Sequence, residues 1–171
     1  MYEGKGASRL HELVLDKNMI GVEGARQVGE LLPTCANLIT FSYRGCRPES
    51  GGTKYLATGL KAMVENNDNH KLKKLMVEDC TFGSGEEDDD AIHALCSALE
   101  KLSDIKHLNM RDGGDLGETG TGLLAQALIN SECKPVYLDF SKKNSISFTT
   151  FSICCIISDP TERALSLTLL L

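Results

Sequence analysis

The 171-residue sequence lacks several features that would place it in common functional classes. It has no excess of positive charge, since 18 Lys and Arg stand against 24 Asp and Glu and the formal net charge is −6. This balance argues against nucleic acid as the partner, because phosphate backbones are bound by basic surfaces. The longest apolar run near the end, 146–157, contains Ser and Thr and is shorter than the roughly 20 residues of a membrane span. We therefore expect no membrane span.

The seven cysteines include no C-x-x-C pair, a spacing that is typical of zinc and redox sites. Their number is odd and no signal peptide precedes them, which predicts free thiols in a reducing cytoplasmic or nuclear compartment. Cys154 and Cys155 are adjacent, but no His or second Cys pair accompanies them at ligand spacing. The sequence therefore predicts no metal site and no cofactor.

Catalytic motifs are also missing from the sequence. His11, His70, His93 and His107 lie far apart and have no Ser or Cys partner in a recognised catalytic pattern. The glycine-rich stretch 113–117 is not followed by the Lys and Ser or Thr that close a phosphate-binding P-loop. We therefore expect a protein that binds other molecules and is not itself an enzyme.

What the sequence does contain is the recurring pattern L-x-x-L-x-L-x-x-N/C-x-L, which is typical of leucine-rich repeats. The first copy fills every position, with Leu10, Leu13, Leu15, Asn18 and Ile20. Further copies begin near residues 38, 72, 105 and 135, and the last of them is the weakest. Asn18 and the equivalent Cys46 and Cys80 are predicted to turn the chain after each strand and to bond to neighbouring backbone groups.

Each copy is followed by apolar residues at helical spacing. The predicted helices cover 24–32, 53–63, 91–102 and 120–129. The acidic run 86–90 is predicted to form a solvated loop just before the third helix, where its carboxylates complement the positive end of the helix dipole. This alternation predicts an α/β leucine-rich repeat solenoid, a right-handed horseshoe with parallel strands on its concave side and helices on its convex side. We assign residues 1–146 to this domain of four to five repeats and 147–171 to an irregular C-terminal tail or cap.

Residues 10–25, in the pattern L-x-x-L-x-L-x-x-N-x-I-G-x-x-G-A, resemble the ribonuclease-inhibitor-like subclass of leucine-rich repeats. Together with segments 47–57 and 72–83, they are most similar to the family of Ran GTPase-activating proteins. The resemblance implies a protein that binds the small GTPase Ran and stimulates its GTP hydrolysis. It implies a cytoplasmic location, with the nuclear envelope or nucleus as alternatives. The alternative function is that of a non-catalytic leucine-rich repeat scaffold or inhibitor that binds another protein.

The repeat register also predicts which side chains a partner protein would contact. The candidates on the concave face and the adjacent loop edge are Glu12, Asp16, Arg44, Arg47, Lys74, Glu78, His107, Asn109 and Arg111. Arg44 and Arg47 are of interest because an arginine supplied in trans can neutralise charge during GTP hydrolysis, although the family's functional arginine has no recognisable counterpart here. The alternative for each residue is ordinary solvation.

Overall fold

The fold was derived from a computed structural model of the chain. The structure describes residues 7–48, 51–82, 86–114, 116–131, 135, 137–140 and 154–156. Within these residues no helix has both the length and the apolar character that crossing a membrane requires.

The chain alternates between short strands and helices. The strands are β1 (Glu12–Val14), β2 (Thr40–Ser42), β3 (Lys74–Met76), β4 (His107–Asn109), β5 (Tyr137–Asp139) and β6 (Cys154–Ile156). The helices are α1 (Val22–Leu31), α2 (Gly52–Glu65), α3 (Glu86–Lys101) and α4 (Gly117–Asn130). Short 3₁₀ turns cover Ala7–Arg9 and Leu32–Thr34. Strands β1 to β5 form a parallel sheet in chain order, so the predicted α/β class is confirmed.

The strand register follows the repeat that the sequence predicts. Strands begin at residues 12, 40, 74, 107 and 137, each two residues after the predicted start of a copy. Residues at equivalent positions pair directly, as Leu75 does with Phe41 on one side and Leu108 on the other. The fifth and weakest copy also contributes a parallel strand. Beyond it, β6 pairs antiparallel with β5, and it belongs to the segment assigned above to the tail or cap.

The hydrophobic core lies between the inward-pointing strand residues and the helices. Phe41, Leu75 and Leu108 from the strand centres are fully buried together with Leu60 and Leu99 from α2 and α3. Burial of an aliphatic or aromatic side chain of this size stabilises a fold by about 1.5–3 kcal/mol. Apolar residues therefore recur along the sequence because successive units share one continuous hydrophobic core.

Glycines allow α1 and α2 to approach each other closely. A Cβ atom added to Gly59 would lie 2.3 Å from the carbonyl oxygen of Gly29. One added to Gly29 would lie 2.3 Å from the carbonyl oxygen of Tyr55. Because these are backbone atoms, no side-chain rotation could relieve the overlap, and the two helix backbones depend on glycine at both positions.

The acidic run Glu86–Asp90 is part of a helix, and its prediction as a loop is wrong. Helix α3 begins at Glu86, so the run forms its first turn and the start of its second. Carboxylates are favourable there because they face the positive end of the helix dipole. Asp90 also accepts a 2.8 Å hydrogen bond from Lys54 Nζ of α2, which lowers the pKa of that carboxyl. The run therefore starts α3 and, through Asp90, ties it to its neighbour.

Candidate functional site

The same tight turn follows each of the first four strands. The turn residue has a positive φ in every case: 58° at Lys17, 64° at Gly45, 59° at Asp79 and 55° at Asp112. This left-handed conformation is costly for residues other than glycine, so its recurrence at one position reflects a geometry imposed by the repeating unit. The side chains just before the turns are therefore held in equivalent places along one edge of the sheet.

Four charged residues of alternating sign precede these turns, and we call them the strand-end row: Asp16, Arg44, Glu78 and Arg111. The amides of Lys17, Gly45 and Asp79 each donate a hydrogen bond of 2.7–2.9 Å to the carbonyl oxygen of the row member in the next unit. The backbone ladder thus continues beyond the strands and makes successive row members neighbours. The structure brings together four of the nine contact residues that the sequence predicts.

The contact between Asp16 and Arg44 is the best-defined interaction in the strand-end row. Asp16 accepts hydrogen bonds from Ser42 Oγ at 2.6 Å and from the Arg44 amide at 3.0 Å. It also accepts two from the Arg44 guanidinium, at 2.8 Å from Nε and 2.5 Å from Nη2. Burial alone would raise the pKa of Asp16, but the hydrogen bonds from Ser42 and Arg44 outweigh it and the pKa is lowered. Asp16 is therefore a charged anchor that fixes the position of Arg44.

The remaining arginines at this edge differ in how firmly they are held. Arg44 is 43% exposed and Arg47 82% exposed. Arg47 has only a 4.0 Å ion pair with Asp79, which is too long for a hydrogen bond. Arg111 Nε lies 3.7 Å from the Asp112 carboxylate and makes no hydrogen bond within the described residues. Arg47 is thus the arginine of this edge that can most readily leave its partner.

The open face is the sheet surface formed by alternate residues of β1 to β5, on the side away from the core. Glu12 and Lys74 are exposed there, and His107 is half-buried. His107 stacks on Tyr137 with ring centroids 4.3 Å apart. Burial, together with the positive charge of Lys74, lowers the pKa of His107, which favours a neutral imidazole at neutral pH. The open face therefore combines charged and aromatic groups.

Asn109 lies at the strand position that the repeat pattern predicts, but it is covered by the rest of the chain. It is only 7% exposed, and its Oδ1 accepts a 2.9 Å hydrogen bond from the Arg111 amide. Ser42, at the equivalent position of β2, is only 2% exposed. Their short side chains are covered because neighbouring strands and the strand-end row surround them. Asn109 is therefore a residue that positions the turn and Arg111.

The predicted turn residues bond to the backbone as their side-chain chemistry suggests. Asn18 Nδ2 donates to the carbonyl of Leu15 at 2.7 Å, within its own unit. Cys46 Sγ donates to the same carbonyl at 3.0 Å, across the boundary between units. Cys80 Sγ donates at 3.5 Å to the carbonyl of Tyr43, again in the preceding unit. Each cysteine thus links its unit to the one before it.

These cysteines are buried, and burial raises the pKa of the Cys46 and Cys80 thiols. A thiol with a raised pKa carries little thiolate and is a poor nucleophile. The described part of the chain contains no group of three or more His, Cys, Asp or Glu residues that could hold a metal ion.

Two lysines that the repeat pattern does not single out lie beside predicted contact residues. Lys73 and Lys106 directly precede Lys74 and His107, and both are exposed. Because side chains alternate along a strand, the positions of Lys73 and Lys106 are predicted to point toward the core. The sequence pattern therefore did not identify these two lysines as surface residues. The signal that could have found them is the recurrence of two consecutive basic residues at the same position of two neighbouring units.

Comparison with known proteins adds no family assignment: neither the protein-family models nor the curated proteins include a match to this chain.

Proposed function

We propose that this chain is a leucine-rich repeat solenoid that binds another protein through its strand-end row and open face, and that the partner is a small GTPase of the Ran type. The observation that carries the proposal is the strand-end row itself. Four neighbouring units present charged side chains of alternating sign at one edge of the sheet. An extended surface of mixed charge provides electrostatic complementarity, which selects a protein partner and fixes its orientation.

The solenoid part of the proposal is supported by the regularity of the units. Successive parallel strands pair in register, and α1, α2 and α3 each contact the next helix along the chain. The turn after each of the first four strands repeats with nearly the same φ. In repeat architectures each unit contacts only its neighbours and the extended surface serves as the binding face.

The GTPase part of the proposal rests on the sequence resemblance and on the exposed arginine. An arginine that acts in trans must leave its own surface and reach the partner's phosphates. Arg44 is held by two guanidinium hydrogen bonds to Asp16, whereas Arg47 is 82% exposed and weakly paired. We therefore favour Arg47 over Arg44 for any direct contact with a nucleotide.

The test is single-turnover GTP hydrolysis by Ran, with and without the full chain. We expect the chain to accelerate hydrolysis and Arg47→Ala to reduce that acceleration. The matched control is Arg26→Ala, which removes an arginine from the outer surface of α1, where it pairs with Glu23 and Glu30. Absence of both binding and acceleration would refute the assignment to Ran.

A non-catalytic scaffold is the second candidate, and a specific observation favours it. Arg44 of the strand-end row is held by two guanidinium hydrogen bonds to Asp16, so it is not free to reach a nucleotide. Binding to Ran that slows hydrolysis or leaves it unchanged would favour this scaffold or inhibitor and reject the activator. In that case substitutions in the strand-end row should weaken binding, which calorimetry would measure.

A further inference from the structure

Three lysines and a histidine lie together where β3 and β4 begin, and we call them the lysine cluster: Lys73, Lys74, Lys106 and His107. Lys74 is in register with His107 on the neighbouring strand. The Lys106 amide donates a 2.8 Å hydrogen bond to the carbonyl of Lys73, so these two residues are also neighbours. Adjacent strands are about 4.8 Å apart, which places the basic groups within reach of a single anionic segment.

The lysines of this cluster have no counter-charge on the described surface. None of the three takes part in an ion pair or a side-chain hydrogen bond there. Lys54 and Lys101, by contrast, pair with Asp90 and Glu65 of adjacent helices. These two lysines are neutralised within the chain, whereas those at the start of β3 and β4 are not.

Nearby carboxylates do not compensate for this concentration of charge. Asp104 is exposed and precedes Lys106 by two residues, but the two form no ion pair. Glu12 lies on the same row of the open face as Lys74, with Thr40 of β2 between them. Like charges on directly neighbouring strands destabilise a sheet. A ligand that carries carboxylates would relieve this repulsion between the lysines.

We propose that the lysine cluster binds an acidic segment of a partner protein. The lysine cluster shares Lys74 and His107 with the open face, but the inference goes beyond the function proposed above, because it requires neither a GTPase nor the strand-end row at the opposite ends of the strands. Lysine ammonium groups on long flexible stems can follow the side chains of such a segment without a fixed geometry. The stacked His107 and Tyr137 rings provide an apolar surface beside the cluster on which aliphatic parts of the segment can pack.

A protein segment fits better than a nucleic acid. A nucleic acid extends its phosphate charge far beyond a patch of this size, and the rest of a chain with net charge −6 would repel it. A short run of aspartates or glutamates places its charge on the cluster alone. The affinities of the chain for an acidic peptide and for a nucleic acid can be compared directly.

The experiment is fluorescence anisotropy with the full chain, at low salt, using a labelled oligoglutamate peptide and an oligothymidylate of the same net charge. The test variant is Lys73→Glu/Lys106→Glu. It keeps the repulsion between like charges on neighbouring strands, so its stability should match that of the wild-type chain. The control is Lys17→Glu/Lys61→Glu, which changes the net charge equally at two lysines that are also without ion pairs in the described structure.

We expect the peptide to bind the wild-type chain and the control with similar affinity, and to bind the test variant about tenfold more weakly, since two exposed charge contacts are lost. Binding should also weaken as salt is added. Equal weakening in the control, no binding of the peptide to the wild-type chain, or tighter binding of the oligothymidylate would each overturn the proposal. None of these outcomes depends on Ran, so this test and the hydrolysis test can fail separately.

Discussion

Replacing Asp16 with asparagine tests whether the strand-end row is held by charge. Asp16 is 15% exposed and accepts hydrogen bonds from Ser42 and from the amide and guanidinium of Arg44. An asparagine of the same size can still accept from Ser42 and from the Arg44 amide. It loses the two charge-assisted bonds to the guanidinium, and its own NH₂ group then faces another donor. Because Arg44 is partly exposed, we discount the usual value of such bonds and expect a loss of about 1–2 kcal/mol in the free energy of unfolding.

The effect should depend on pH in a defined direction. The folded-state pKa of Asp16 is lower than its ordinary value of about 3.9, so the folded state binds the proton more weakly than the unfolded state. The stabilisation is therefore fully present above the unfolded pKa and is lost as pH falls through the folded pKa. The difference between wild type and Asp16→Asn should be largest near neutral pH and should shrink steadily below about pH 4.

Urea unfolding followed by circular dichroism, repeated across this pH range, measures both quantities. Glu12→Gln is the matched control, because it removes an exposed carboxylate from the preceding strand and should change the free energy of unfolding by less than about 0.5 kcal/mol. Combining Asp16→Asn with Arg44→Gln should cost less than the sum of the two single changes. If the two substitutions lower the free energy of unfolding additively, Asp16 does not hold Arg44 by charge. The same conclusion follows if the difference between wild type and Asp16→Asn stays constant as the pH falls.

Two further predictions concern the helix contact and the lysine cluster. Gly59→Ala should lower the free energy of unfolding by about 1–3 kcal/mol, because its Cβ would overlap the Gly29 backbone. At Gly122 an added Cβ meets open space, so Gly122→Ala should raise the free energy of unfolding by about 0.5–1 kcal/mol. Equal effects of the two substitutions in urea unfolding would contradict the close approach of α1 and α2. Lys106→Glu alone would place a carboxylate beside Lys73 and should raise the free energy of unfolding by about 0.2–1 kcal/mol. A decrease in the free energy of unfolding in the same assay would contradict the proximity of Lys73 and Lys106.

The sheet could be predicted from the sequence because its register depends on a few side chains of one type. Leucine-like residues at Leu38, Leu72 and Ile105 must face the core, and a shift by one residue would expose them. The prediction of the strand-end row followed from the same register. Even the fifth strand, with only Leu138 and Phe140 to mark it, follows this rule.

Properties that depend on neighbouring units could not be predicted in this way. The periodicity does not show that Asn109 is covered, since its burial depends on the chain around it. Nor does it show that Gly29 and Gly59 meet, because the distance between helices is set by packing across units. The acidic run 86–90 was placed just before the third helix and not in its first turn, because charge alone does not fix the residue at which a helix begins.

The constant position of the positive-φ turn has a consequence for engineering this chain. In the first four units the turn comes at the same distance from the start of its strand, so differences in unit length are confined to the stretch between one turn and the next strand. Within that stretch the helices pack against one another, so the loops on either side of a helix are where foreign peptides can be grafted without altering how one module joins another. A library of such insertions, with strand and turn left untouched, should yield many folded proteins with new loops on an unchanged frame.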